Sequence, residues 1–300
     1  MLDLVLNIWE NADLTPNDAG WVLWVICDQY AIGRVNDPII QYKYQSEFFN
    51  LVRSNFPERA HWVVSDSTQQ ISLHRGGFLP SWIEWYQFAN DTAPHVPDNR
   101  RARFESHRAN STSFVRFGEF KHAHSALTAI AELLQEDDNW PSRQFATAMY
   151  KELQLEFYTA TQETAKVEEI GLDIERMLDE WIRRVDGIEM IEYDGKPLFG
   201  SWQYFHEDWQ SVKGYAVALN NAACLFAKAG RFPSAERLFR TWLDYRNRPL
   251  NEYGEALFLL SCWHNGHSRE EIRRMFDESQ TNSSVAYAIH IAPDLAEILG

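Results

Sequence analysis

Cysteine is scarce in this chain: Cys27, Cys224 and Cys262 are the only three in 300 residues. They are odd in number, far apart and set inside apolar helical patterns, which excludes a disulfide framework. They predict buried free thiols in a reducing compartment. Long apolar runs are missing as well, since no segment approaches the roughly 20 apolar residues that a membrane-spanning helix requires. The opening MLDLVLNIWENADL carries no basic leader, so no secretory signal is expected and a cytoplasmic location is predicted. Positive charge is in short supply. Twenty-eight Lys and Arg face 43 Asp and Glu, and the net charge of −15 argues against nucleic acid or an anionic membrane as the main partner. One local exception runs the other way: Arg100, Arg101, Arg103, Arg108, Arg116 and Lys121 outnumber Asp98, Glu105 and Glu119, a patch suited to an acidic tail.

Signatures of catalysis are also lacking. There is no Gly-rich phosphate loop and no GxSxG elbow, and FHEDW has His206-Glu207 without the second His of a zincin. His122 with His124, and His264 with His267, are close pairs that lack an evident third ligand; helix spacing puts the first pair on different faces. No metal, cofactor or catalytic residue is therefore expected.

Aromatics are abundant, at 14% with 12 Trp. Trp9, Trp21, Trp24, Trp62, Trp82, Trp85, Trp181, Trp242 and Trp263 lie in apolar-periodic segments, which predicts that most are core. The sharper alternative is an aromatic sugar-binding cleft, which requires several Trp faces exposed on one side. Apolar residues recur at three- and four-residue spacing over Phe145–Phe157 and Ala165–Ile182, with a polar break near Thr161–Thr164 and no Gly. That pattern predicts a helical hairpin. Two more divergent hairpins are expected upstream, around Gly33 and Pro38 and around Gly76, Gly77 and Pro80.

The densest pattern is Leu219–Phe239, LNNAACLFAKAGRFPSAERLF. Ala at a helix crossing lets two axes approach, Gly230 accepts the left-handed conformation that closes a helix, and Pro233 suits the first turn of the next. Ala222, Ala223, Phe226, Gly230, Ala235 and Phe239 together resemble a tetratricopeptide repeat in its 34-residue frame. The same frame laid from Phe104 places Phe114, Gly118, Ala123 and Leu127 correctly. Laid from Glu252 it matches only in part: Leu259 and Gly266 fit, but Glu271 stands where Ala belongs and Met275 where an aromatic is usual.

The resemblance implies an all-α solenoid of about six antiparallel helical hairpins, irregular in period and closed by a helix over Ser284–Leu299. Residues 1–92 are expected to form the divergent N-terminal hairpins. Residues 103–300 are expected to hold the tetratricopeptide-like repeats with an insert at 185–212, the whole forming one continuous solenoid. Asp194-Gly195 between short apolar runs predicts that this insert is a β-hairpin or ordered loop. The insert is rich in aromatics and acids, and suits either self-burial or a lid that contacts a partner.

Function follows as recognition: a non-catalytic adaptor or regulatory scaffold that binds a protein or peptide. The resemblance implies that the groove uses Arg108, Arg116, Asn220, Asn221, Lys228, Tyr253, Trp263 and His264. These cations, amides and aromatics suit a partner with an acidic or C-terminal carboxylate segment. A bacterial toxin-neutralising immunity protein is the alternative, supported by acidity alone. A weaker one is a ribonuclease, because Arg101 and His107, with five residues between them, are similar to the Arg–His pair of HEPN-type enzymes.

Overall fold

The computed structural model describes residues 2–31, 38–64, 79–92, 100–136, 143–185, 190–193, 196–199, 221–246, 250–279 and 283–300. The fold is all-α in make-up, with one short strand pair. It divides into two compact units, Met1–Gln135 and Glu136–Gly300, so the boundary falls after the hairpin that begins at Phe104 rather than before it.

In the first unit α1 (Leu2–Asn11) packs on α2 (Pro16–Ala31), which packs on α3 (Pro38–Asn55). Thr15 starts α2: its hydroxyl accepts the Asp18 N–H at 3.3 Å and donates to the Asp18 carboxylate at 2.6 Å, while Pro16 occupies a position whose N–H has no partner to lose. Leu23, Ile26, Cys27 and Tyr44 are the buried centre, with Leu6, Trp9 and Leu51 packed against it. A 3-10 turn, Pro57–Arg59, leads into helical residues 60–64. Then come α4 (Leu79–Thr92), α5 (Arg100–Phe117) and α6 (Phe120–Gln135). Stacked rings tie these layers together: Phe49 on Trp85 at 4.9 Å joins α3 to α4, and Trp82 on Phe114 at 4.8 Å joins α4 to α5.

The second unit contains α7 (Arg143–Ala160) against α8 (Thr164–Val185), then strands β1 (Met190–Tyr193) and β2 (Lys196–Phe199). The strands pair antiparallel, Met190 opposite Phe199 and Tyr193 opposite Lys196. The Asp194-Gly195 turn and the aromatics of 200–212 lie outside the described residues. Helical residues 221–228, here α9, form a hairpin with α10 (Phe232–Arg246). They are followed by α11 (Glu252–His264) and α12 (Arg269–Asp277). Ser268 and Glu271 close a reciprocal capping box at the start of α12. The helix expected over Ser284–Leu299 is instead broken. Ser284 caps α13 (Val285–Ile291), and Pro293, which has no N–H to give, starts a separate 3-10 turn before the short α14 (Ala296–Leu299).

Four hairpins share one turn geometry. After α5, the Glu119 N–H donates to the Phe114 carbonyl at 2.8 Å and the Gly118 N–H to Val115 at 3.1 Å. The same two bonds recur as Arg231 to Phe226 with Gly230 to Ala227, and as His267 to Cys262 with Gly266 to Trp263. The three glycines sit at φ +75°, +74° and +92°. This left-handed closure satisfies carbonyls that a helix end leaves unpaired. The turn between α7 and α8 makes the same pair, Glu163 to Tyr158 and Gln162 to Thr159, with Gln162 at φ +62° where glycine would be unstrained.

Free thiols are found as expected: Cys27, Cys224 and Cys262 are all unpaired in disulfides and buried. Among the described residues no helix is long and apolar enough to cross a membrane.

Candidate functional site

The best-matched repeat positions its side chains through close packing. Ala222, Ala223, Phe226, Ala235, Leu238 and Phe239 are essentially fully buried, so α9 and α10 meet along the alanines and interlock through the two rings. With that face committed, Asn221 and Lys228 are left on the outer side of α9. Lys228 is exposed and its ammonium lies 5.3 Å from the centre of the half-buried Tyr253 ring at the start of α11. Asn221 is half-buried and has no side-chain hydrogen bond among the described residues. Amide, cation and aromatic ring therefore belong to α9 and α11 of one unit, with α10 between them in the chain.

The other expected binding residues are placed differently. Trp263 is half-buried and packs on the second unit's core, so much of its surface is already used. His264 stacks on Phe232 at 4.1 Å, nearly parallel, and its Nε2 is 2.9 Å from the Asp294 carboxylate, which makes it a tie between α10, α11 and the 3-10 turn at Pro293. Arg108, in the first unit, donates to Glu105 on its own helix at 2.8 Å. Arg116 is exposed, with no ion-pair partner among the described residues. Asn220 lies outside the described residues.

His107, the imidazole of the ribonuclease reading, is not a surface group. It is 3% exposed, inside a polar cluster of α4, α5 and residues 60–64. Burial first, then the neighbouring His61 and Arg103 charges, push its pKa down to about 3; burial and Arg103 bring His61 down to about 4. Both rings are neutral at pH 7. Burial drives the Tyr86 hydroxyl well above its ordinary range, so it stays protonated, and it shares a hydrogen bond of 2.8 Å with His107 Nδ1. An imidazole held so far below neutrality takes up a proton poorly, and as placed it is screened from a phosphate chain.

One set of residue types suited to a metal stands out among the described residues: Glu236, Cys262 and His267, whose ligand atoms lie within 4.8 Å of one another. Their chemistry is structural. Glu236 accepts from Asn265 at 2.6 Å, from Arg240 at 2.7–2.8 Å and from His267 at 3.0 Å, so its lone pairs are taken and a cation already sits beside it. Burial pushes the Cys262 thiol up to about 12, keeping it protonated. The network binds α10 to the turn after α11.

A concave surface that the periodicity concealed lies in the first unit. Trp21 and Trp24, expected in the core, are exposed together with Trp62. They line a cleft of about 460 Å³ with Phe48, Phe56 and Arg59. The expectation holds for Trp82 and Trp85, which are buried, and for Trp9, Trp242 and Trp263, which pack against the cores; the Trp181 side chain lies outside what the structure describes.

Compared with known proteins, the chain matches no family model, no curated protein and no solved structure.

Proposed function

We propose that the chain is a non-catalytic protein- or peptide-binding protein, with its antiparallel hairpins as tetratricopeptide-like repeats of an irregular solenoid. The observation that carries this reading is the α9–α10 hairpin. Its alanine crossing and paired phenylalanines spend one face entirely on packing, while Asn221, Lys228 and Tyr253 remain on accessible faces of consecutive first helices. Helices arranged in this way offer a rigid surface to a partner without supplying a nucleophile or base. Lys228 supplies positive charge in an otherwise acidic chain, which favours a partner segment bearing a carboxylate beside an apolar side chain.

The test is affinity capture with the full chain, followed by calorimetry on the captured partner. Lys228→Glu and Tyr253→Ala should each weaken binding about tenfold, or 1.4 kcal/mol, with the circular dichroism spectrum unchanged. Full affinity in both variants would remove the repeat surface as the site, and RNA cleavage by purified protein would overturn the non-catalytic reading altogether.

A further inference from the structure

Helix α2 is apolar on two faces, and the first unit buries only one of them. Leu23, Ile26 and Cys27 point into the core, whereas Asn17, Gly20, Trp21 and Trp24, along the adjacent stripe, line the cleft. Trp21 is 61% exposed, Trp24 42% and Trp62, from residues 60–64, 46%. An indole left in water forgoes a large burial gain, and three of them converge here from two separate segments. Trp21 and Trp24 stand perpendicular with centroids 5.8 Å apart. Val52 and Val63, both buried, line it as well. The volume of about 460 Å³ falls within the range of small-molecule sites, roughly 300–1,000 Å³.

The polar groups select the ligand. The lining contains one charged side chain, Arg59, one amide, Asn17, and no carboxylate. Arg59 lies over the Phe56 ring at 5.3 Å and has no carboxylate partner among the described residues, although the chain carries 43 acids. A single guanidinium beside aromatic walls matches one carboxylate at the end of an apolar body, since its planar fork donates to two oxygens side by side. A cationic ligand would meet Arg59 with no acid in the lining to offset it. A doubly charged phosphate would find only one cation.

We infer that the Trp21–Trp24–Trp62 cleft binds a small organic monocarboxylate with an aromatic or branched apolar body, the rings holding the body and Arg59 the carboxylate. This site is separate from the repeat surface proposed above and does not depend on it.

Calorimetry of the full chain with phenylbutyrate, phenylbutyramide and phenylbutylamine tests it. Phenylbutyrate should bind saturably, one per chain, at least about tenfold tighter than the amide, with the amine weakest. Arg59→Gln should abolish the preference for acid over amide while leaving amide binding in place. Trp62→Ala should weaken both ligands about tenfold. Both side chains are exposed, and an unchanged circular dichroism spectrum confirms that the variants fold. Equal affinity of the parent for acid and amide, undiminished acid binding in Arg59→Gln, or no saturable binding of any of the three would overturn the proposal.

Discussion

The two units bury different kinds of interior. In Met1–Gln135 the core admits Gln45, His61, Ser106, His107, Asn110 and Ser111, all nearly inaccessible. In Glu136–Gly300 the buried set is mostly hydrocarbon; its polar members among the described residues are Glu152, Glu255 and Ser261, and Ser261 donates back to the Leu257 carbonyl on its own helix at 2.7 Å. A further cluster of charge lies at the edge of the second unit. Arg231 is paired with Glu168 and, at 2.9 Å, with Glu175, which also accepts from Ser234 and lies 3.9 Å from Arg237. The clamp spans α8 and α10, so it ties one hairpin to the next. The buried imidazoles make the first unit's stability depend on protonation, whereas close-packed hydrocarbon depends on shape.

Acidification should separate the units most strongly. His61 and His107 are neutral when folded, with pKa values near 4 and 3, but titrate near 6.5 once unfolded. Between those values the unfolded chain holds more protons, so stability falls as pH falls. The two imidazoles together should cost the first unit roughly 4 kcal/mol between about pH 7 and pH 5. Hydrogen exchange at the two pH values should show protection lost in α4 and α5 and largely kept in α10 and α11, and His61→Leu with His107→Leu should flatten the pH dependence. Equal loss in both units would break the comparison.

Shape should dominate in the second unit. Ala235 is fully buried at the α9–α10 crossing, so Ala235→Trp should destabilise by roughly 1–3 kcal/mol or more through overpacking, read in a denaturant melt. A melt matching the parent would mean that the crossing is loose.

Next in size is the clamp. Glu175→Ala strips Arg231 and Ser234 of a partner and should cost about 1.5–3 kcal/mol, because a largely buried guanidinium loses a charged hydrogen bond. Gly171 guards the same place: a Cβ there would stand 2.9 Å from the Arg231 guanidinium carbon. If high salt removes all of the difference between Glu175→Ala and the parent, the clamp acts as an ordinary surface pair.

The smallest effect should be a gain. Gln162→Gly relieves a positive φ that the other three hairpin turns give to glycine, and should raise stability by about 1 kcal/mol. An unchanged or lowered melting temperature would show that Gln162 earns its position by other contacts.

Much of this was legible before any coordinates. Gly118, Gly230 and Gly266 marked three of the four left-handed turns, and the alanine–phenylalanine spacing of 222–239 marked the closest hairpin, because both depend on local backbone sterics and side-chain size. Gln162 was not legible as a turn residue, since nothing in its chemistry favours positive φ; the polar break around it was the only trace. Pro293 is visible as a residue, but the apolar spacing continues past it, so periodicity alone does not mark the break. Among the candidate binding residues, Lys228 and Tyr253 come together, while Arg108 and His264 are drawn into pairs with Glu105 and Asp294 that spacing alone does not reveal.

By itself the sequence determined helix periodicity, hairpin turns, buried thiols and a net negative charge, because these follow from the residue and its near neighbours. Only the tertiary structure decided which apolar stripe of α2 is core and which is cleft. Both stripes have the helical period of a buried face, and the difference lies solely in where α1, α3 and residues 60–64 pack. The same holds for His107. A histidine six residues after an arginine reads as chemistry in one dimension, and the packing of α4 and residues 60–64 around it made it a neutral part of the interior.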